Sequence, residues 1–291
     1  MKSITLKTPA KINLGLSILR KLPNDYHEVK TIYSQISLFD VLRIKEINES
    51  KIEIDCNDRN IPTDKRNLVY QAADLIKKET RVKKGVKISI RKRIPVGSGL
   101  GGGSSDAAAT FKALNKFWQL NLSSVQLIKL AQEIGSDVAY QLVGMVQLEI
   151  QGGEKAGEFT FLGKLPNCLI LLSIPPISIR SKQAYSQVQY DKIGKNNLIL
   201  LIKAIEKKDL EAIAQNLHND FEIWTLRNYS VIQKVKQLMI KYGALGSLMS
   251  GKGSAVFGLF DDKNTVQKAY ELIKKDYPKT FLVKPHYTKH D

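Results

Sequence analysis

Residues 95–110 read Pro-Val-Gly-Ser-Gly-Leu-Gly-Gly-Gly-Ser-Ser-Asp-Ala-Ala-Ala-Thr, with glycine at positions 97, 99, 101, 102 and 103. Upstream, Val86, Ile88 and Ile90 alternate with Lys87, Ser89 and Arg91, the period of a half-buried strand over 86–93. Downstream, Phe111, Leu114, Phe117 and Trp118 recur at helical spacing and predict a helix over 106–118. A strand, a glycine loop and a helix N-terminus in that order suit an anion. Backbone N–H groups unshielded by Cβ atoms meet the positive end of the helix dipole there. A plain surface turn rarely carries so many glycines beside a helix start. The loop lacks the Gly-x-x-x-x-Gly-Lys-Ser/Thr spacing of a Walker A motif. A dinucleotide fingerprint would follow the first strand of a βαβ unit, whereas much chain precedes this loop. By itself the loop leaves the ligand open.

The 291 residues are enough for two domains or one large one, and 43% hydrophobic with 25% charged residues is ordinary for a globular chain. Lys plus Arg number 45 against 28 Asp plus Glu, a net charge of +17. Such a balance attracts polyanions, nucleotides and nucleic acids alike. The cations come as scattered pairs, Lys77-Lys78, Lys83-Lys84, Lys207-Lys208 and Lys274-Lys275, as on solvated helix faces. Cys56 and Cys168 are isolated, which argues for a reducing compartment and against a disulfide scaffold. His27, His218, His286 and His290 show no paired zinc-ligand spacing. No apolar run reaches transmembrane length, and the first residues read as a strand without a secretory apolar region. A cytoplasmic protein without a membrane partner is expected.

In chain order, a strand over 3–7 continues through Pro9-Ala10-Lys11-Ile12-Asn13-Leu14 to Leu19, and Lys11 and Asn13 share one strand face. A turn-rich segment holding Tyr26 and His27 follows. Strands near 31–38, 41–48 and 51–56 predict an antiparallel meander, and 67–79 an amphipathic helix. Ser123 with Gln126 forms a capping-box pattern for a helix that stops at Gly135. Gly135-Ser136-Asp137-Val138 opens another apolar stretch, where Asp137 alone reads equally well as a helix cap. The Gly- and charge-rich stretch 152–166 marks the best boundary. Beyond it come a strand over 168–174, helices from about Ser181, over 197–206, 208–217 and 230–242, strands near 246–250 and 254–260, a helix over 264–275 and a strand over 280–283. That rhythm predicts an α+β domain of ferredoxin-like type. Gly246 to Gly253 imitates a P-loop but has Gly253 where Ser or Thr is needed and follows a helix.

Taken together, Pro9-Ala10-Lys11-Ile12-Asn13-Leu14 with Tyr26-His27, the whole of 95–110, and Leu245-Gly246-Ser247-Leu248-Met249-Ser250-Gly251-Lys252-Gly253 resemble the three motifs of the GHMP kinases. Gly135-Ser136-Asp137-Val138 and His218-Asn219-Asp220-Phe221 match in family order, so the resemblance spans nearly the whole chain. It implies an α+β, two-domain GHMP kinase fold: a ribosomal protein S5 domain 2-like part over 1–155 carrying the phosphate loop, and a ferredoxin-like part over 156–291. Within the family, the first motif with Tyr26-His27 resembles the branch that phosphorylates the 2-hydroxyl of a cytidine diphosphate-linked methylerythritol. ATP is the implied co-substrate and Mg2+ the implied ion. Phosphoryl transfer asks a protein chiefly for positioning and charge stabilisation.

By the same resemblance, Asp137 is the base that takes the hydroxyl proton, with Lys11 beside it to stabilise charge near the transferred group. Gly99, Gly101, Gly102, Gly103, Ser104 and Ser105, entered from Pro95, wrap the ATP phosphates. Asn67, Leu68 and Lys92 lie near the adenine. His27 reads the cytosine, Tyr26, Tyr33 and Tyr185 are the stacking candidates, and Asn13 and Ser181 are polar contacts. Ser105 is the candidate magnesium ligand, with no ligand set assigned. Three positions depart from the family pattern: Asp25 replaces Gly before Tyr-His, Ala139 replaces Pro after Asp-Val, and Lys252 fills a slot usually small. Lys252 either obstructs a phosphate or adds a favourable charge. The implied partners are these small molecules, with no nucleic acid, and the protein is a monomer or homodimer. A kinase of homoserine or mevalonate and a basic nucleic-acid-binding module remain the alternatives.

Overall fold

The computed structural model describes residues 3–23, 27–152, 155–193 and 198–287; Tyr26 and Asp25 lie outside the described residues. The chain opens with two long strands, β1 (Ser3–Lys21) and β2 (His27–Ile47), and continues through β3 (Ile52–Cys56), α1 (Leu68–Thr80), β4 (Gly85–Arg91), α2 (Gly102–Phe117), α3 (Ser124–Ile134) and α4 (Ser136–Val143). Then come β5 (Val146–Gly152), β6 (Lys155–Gly163), β7 (Leu169–Ser173), α5 (Ser181–Ser186), α6 (Ile199–Glu206), α7 (Leu210–Gln215) and the short β8 (His218–Asn219). The last elements are α8 (Glu222–Asn228), α9 (Ser230–Lys241), β9 (Gly246–Met249), β10 (Val256–Phe260), α10 (Lys263–Asp276) and β11 (Thr280–Val283). The chain packs into two compact units interleaved in sequence. The first takes the residues through Ala10, Leu38–Pro95 and Gly101–Gly144; the second takes Lys11–Ser37, Val96–Leu100 and the chain from Met145 on.

In the first unit β4 pairs parallel with β3, from Ile52↔Val86 to Cys56↔Ile90, and antiparallel with the far half of β2, from Val41↔Arg91 to Ile47↔Gly85. This corrects the antiparallel meander expected over 31–56. A parallel pair needs a crossover, and α1 supplies it between β3 and β4. The strands expected over 31–38 and 41–48 are one strand. Asp40, which breaks the apolar pattern, is fully buried and satisfied inside the fold. Asn67 caps α1, and the capping box of Ser123 and Gln126 opens α3 as expected. α1 buries Val69, Ala72, Ala73 and Ile76, and α2 buries Ala107, Ala108, Phe111 and Leu114. Each large apolar side chain among them contributes roughly 1.5–3 kcal/mol. α2 starts at Gly102 rather than at 106, because Gly101 takes a left-handed conformation (φ 66°) as N-cap and Ser105 N–H closes the first turn on the Gly101 carbonyl at 2.9 Å.

In the second unit the near half of β2 pairs with β5 from Val29↔Gln151 to Ser34↔Val146, β5 pairs with β6, and β1 meets β8 at Gly15↔His218. A separate antiparallel sheet runs in the order β11-β7-β10-β9. Helices α9 and α10 cover it through Ile232, Val235, Met239, Val266, Ala269 and Ile273. β6 and α8 escape the pattern reading. β6 pairs with β5 as an edge and leaves Phe161 59% exposed, so its apolar residues do not alternate inward and outward. Among the described residues no helix is long and apolar enough to cross a membrane.

Candidate active site

In the first unit the chain leaves β4 into Lys92, whose side chain is only 7% exposed. Its Nζ bonds Asp40 Oδ2 and, at 2.8 Å, Asp106 Oδ2. Thr8 Oγ1 donates to the other oxygen of Asp106 at 2.6 Å, and Asp40 Oδ1 accepts the backbone N–H groups of Arg93 and Ile94. One ammonium therefore serves two buried carboxylates, and the cluster fixes the residues just before Pro95 and the second turn of α2. Burial pushes the Lys92 pKa down, but Asp106 and Asp40 outweigh it and the net direction is up. Burial raises Asp106 to about 6; Lys92 opposes the rise and the Asp40 charge adds to it.

The first unit also carries further residues expected on the ATP side, and the expected base Asp137. Asn67 spends its side chain on α1, accepting from Val69 N–H at 2.9 Å and donating to the Pro62 carbonyl at 2.7 Å. Leu68 is half-buried in the first turn of α1. Gly102, Gly103 and Ser104 form the exposed to half-buried start of α2, with Ser105 buried beneath it. Asp137 is half-buried in the first turn of α4, whose N-cap Gly135 brings no side-chain bond.

The second unit holds the other half of the expected residues. Lys11 and Asn13 are buried on β1, and Lys11 Nζ donates to Asn13 Oδ1 at 2.7 Å. The ammonium lies 5.2 Å from the centroid of the Tyr33 ring, which is itself buried. Asn13 Nδ2 donates to Thr31 Oγ1 at 2.8 Å, and Thr31 in turn to the Gly15 carbonyl at 2.9 Å. Lys11 N–H reaches the Leu100 carbonyl at 2.9 Å, Asn13 N–H reaches Ser250 Oγ at 3.3 Å, and Ser250 Oγ donates to the Gly99 carbonyl at 3.2 Å. The first motif, the middle of the glycine loop and the third motif thus meet at Ser250. Gly99 is irreplaceable here: its φ is +82°, and a Cβ would stand 2.3 Å from the Ser250 carbonyl oxygen. Asn219 Nδ2 holds the third motif by donating to the carbonyls of Met249 and Gly251, each at 2.7 Å. Asp220 accepts from Ile18 N–H at 2.7 Å and bonds His218 Nε2 at 2.8 Å.

A second cluster is aromatic. The rings of His27 and Tyr185 stack with centroids 4.6 Å apart and planes 27° from parallel, and Tyr185 meets Phe221 edge-on at 5.0 Å. His27 Nε2 lies 2.6 Å from the Tyr190 hydroxyl, with the two rings 7° from parallel. Lys252 joins this cluster, its Nζ 5.4 Å from the Tyr185 centroid and 2.5 Å from Ser181 Oγ. The structure therefore brings His27, Tyr185 and Ser181 together and places Tyr33 with Lys11. Sequence reasoning missed Tyr190, Thr31, Asp40 and the anchoring part of Ser250. Only Tyr190 left a signal, as a second aromatic close behind Tyr185.

The first unit offers a glycine-rich helix start and a carboxylate at another helix start; the second offers a cation and amide pair on a strand and an aromatic platform. Comparison with known proteins agrees with that inventory. Residues 67–145 match the model of the GHMP kinases N terminal domain, and residues 201–279 that of the GHMP kinases C terminal. Matches at both ends of a mixed α and β chain define its class, a two-domain α+β GHMP kinase. The chain is 43% identical over 270 residues to the 4-diphosphocytidyl-2-C-methyl-D-erythritol kinase of Caldicellulosiruptor bescii, covering 92% of this chain and 93% of that one. It is 41% identical over 268 residues to the kinase of the same name from Bacillus subtilis, covering 92% of each. A crystal structure of 4-(cytidine 5′-diphospho)-2C-methyl-D-erythritol kinase matches with a TM-score of 0.81 at 28% identity, over 98% of this chain and 100% of that chain. The chain belongs to the family of 4-diphosphocytidyl-2-C-methyl-D-erythritol kinases.

Proposed function

We infer that the protein transfers the γ-phosphoryl group of ATP to the 2-hydroxyl of 4-diphosphocytidyl-2-C-methyl-D-erythritol. The products are the 2-phosphate and ADP, in the non-mevalonate route to isoprenoid precursors. The observation that carries this reading is identity above 40%, over more than nine-tenths of the chain, to kinases of that name. The stacked His27 and Tyr185 support it further, since an acceptor ending in a flat pyrimidine gains from an aromatic platform and a small alcohol does not.

Asp137 acts as the base that accepts the proton of the 2-hydroxyl as its oxygen attacks the γ-phosphorus and ADP leaves. Lys11 supplies positive charge to the transferred group, and the bond to Asn13, itself held by Thr31, fixes where that charge points. Gly99, Gly101, Gly102, Gly103, Ser104 and Ser105 receive the phosphates, entered from Pro95. Asn67, Leu68 and Lys92 form the adenine side; because the side chain of Asn67 caps α1, its backbone is the part left for a nucleotide. Tyr26, Tyr33 and Ser181 complete the acceptor side with Asn13, His27 and Tyr185. Magnesium normally keeps several waters and binds through one or two protein oxygens plus substrate phosphates. That mode fits a chain whose described residues hold no group of three or more His, Cys, Asp or Glu able to take a metal. Ser105 is the proposed protein ligand, and the ion supplies charge neutralisation to the phosphates. The two family matches fall on either side of the proposed division at 155/156, although the compact units themselves interleave in sequence. Two intracellular nucleotides as substrates support a cytoplasmic place of action.

The test is ADP release by the purified chain with the cytidylyl acceptor beside homoserine, mevalonate and galactose, with and without Mg2+. Turnover confined to the cytidylyl acceptor and dependent on Mg2+ is expected. Faster turnover of any of the other alcohols refutes the assignment.

A further inference from the structure

Lys252 is one of the three departures from the family pattern, and its side chain makes contacts outside its own motif. The side chain extends away from its own motif. It reaches α5, where its ammonium bonds Ser181 Oγ at 2.5 Å and stands 5.4 Å from the centroid of the Tyr185 ring. The turn that carries it is fixed, because Asn219 Nδ2 holds the Gly251 carbonyl at 2.7 Å. On Tyr185 the same ring stacks with His27 at 4.6 Å, and His27 reaches Tyr190. Two or three aromatic rings with a cation held close to one of them are complementary to a flat base joined to an anion.

We propose that Lys252 is a specificity-determining residue of the acceptor site, its ammonium pairing with the diphosphate of the acceptor's nucleoside diphosphate end. The assignment rests on the acceptor reading given above. In a cytidine 5′-diphosphate the first phosphate is one ribose away from the base, so a base against the His27 and Tyr185 rings brings its diphosphate within reach of the Lys252 side chain. An ammonium there makes a charge-assisted hydrogen bond to a phosphate oxygen, stronger than the bond to a neutral serine that it makes in the free protein. Ser181 then has a definite part: it parks the amine toward the acceptor and away from the glycine loop. Lysine suits the task because a flexible four-carbon stem carries a compact charge with three donors. The departure thus resolves the choice left by the sequence, between obstruction and added charge, in favour of charge.

The experiment compares wild type with Lys252→Ser and Lys252→Arg by ADP release, varying each substrate at saturating concentration of the other, in low and in moderate salt. Lys252 is half-buried on a turn and outside the apolar core, so neither change removes core. Lys252→Ser is expected to raise the acceptor KM about tenfold, the loss of one charged contact to a phosphate group. The wild-type acceptor KM climbs with added salt and that of Lys252→Ser stays nearly flat, because the screened attraction is gone. Lys252→Arg keeps the salt response. An acceptor KM in Lys252→Ser equal to that of wild type overturns the proposal, and so does a rise confined to the ATP KM, which would place the ammonium on the donor. Wild-type turnover of the cytidylyl acceptor is measured first. Its absence refutes the proposed function itself, whereas turnover with an unmoved acceptor KM refutes only the role of Lys252.

Discussion

Replacing Lys92 by methionine removes one cation from a buried site and leaves its two carboxylates facing each other. Asp40 is fully buried and Asp106 is 1% exposed, so water cannot take over the lost bonds. Breaking a buried ion pair on one side costs about 3–5 kcal/mol, and methionine nearly preserves the volume, so little of the effect is cavity. For a chain of this size about 1 kcal/mol moves Tm by roughly 2–4 °C, so a fall of about 10 °C is expected near pH 8. The sign of the pH dependence follows from Asp106, raised from 3.8 to about 6 chiefly by burial. A carboxyl group raised on folding contributes its stability fully below its unfolded value and loses it as pH rises through the folded one. Between 3.8 and about 6 wild type therefore gives up on the order of 3 kcal/mol from this group. Without the ammonium, which holds Asp106 down, Asp106 rises further, so protonation relieves the variant more than it relieves wild type. The Tm gap should narrow between about pH 8 and about pH 5. Because the cluster holds the N–H groups of Arg93 and Ile94 ahead of Pro95, the variant's ATP KM should also rise. Scanning calorimetry at the two pH values reads the first effect. An unchanged Tm near pH 8, or a gap that widens in acid, refutes the reasoning.

Gly99→Ala forces a Cβ to within 2.3 Å of the Ser250 carbonyl at a φ of +82°. Strain and overpacking of about 1–3 kcal/mol should weaken ATP binding about tenfold or more in titration calorimetry, and wild-type affinity would show that the loop does not need this approach. Asp137→Asn should lower kcat by roughly 100- to 10,000-fold while ATP still binds, and near-normal turnover would remove Asp137 from the role of base. Tyr185→Ala loses a stacking contact worth about 0.5–1.5 kcal/mol and should raise the acceptor KM up to about tenfold, with kcat nearly constant; an unmoved KM removes Tyr185 from the platform.

What could be read from the chain was local. The glycine run, the capping box of Ser123 and the paired polar residues Lys11 and Asn13 each announce themselves within a few positions, because torsion preferences and strand period act over that range. What could not be read was settled by partners far away in sequence. Asp40 looks like a break in β2 until Lys92, Arg93 and Ile94, more than fifty positions on, neutralise and bond it. β3 looks like the next strand of a meander until α1 carries the chain across and β4 slips between β3 and β2. Glycines and serines with weak helix propensity still form the first turn of α2, since the left-handed Gly101 starts it. Lys252 could be seen as a departure, but its direction toward Ser181 and Tyr185 depends on a turn held by Asn219. The glycine loop is therefore legible in a few consecutive positions, while the cluster of His27, Tyr185 and Tyr190 exists only once the fold assembles it.

The most direct measurement is phosphorus NMR of the product formed from ATP and the cytidylyl acceptor. Carbon 2 of the acceptor bears a methyl group and no hydrogen. Transfer to its hydroxyl therefore yields one new monoester resonance without coupling to a carbinol proton, while the acceptor's diphosphate signals persist and ADP appears in equal amount. A monoester signal split by carbinol protons, loss of the diphosphate signals, or ADP without a new ester would contradict transfer to the 2-hydroxyl.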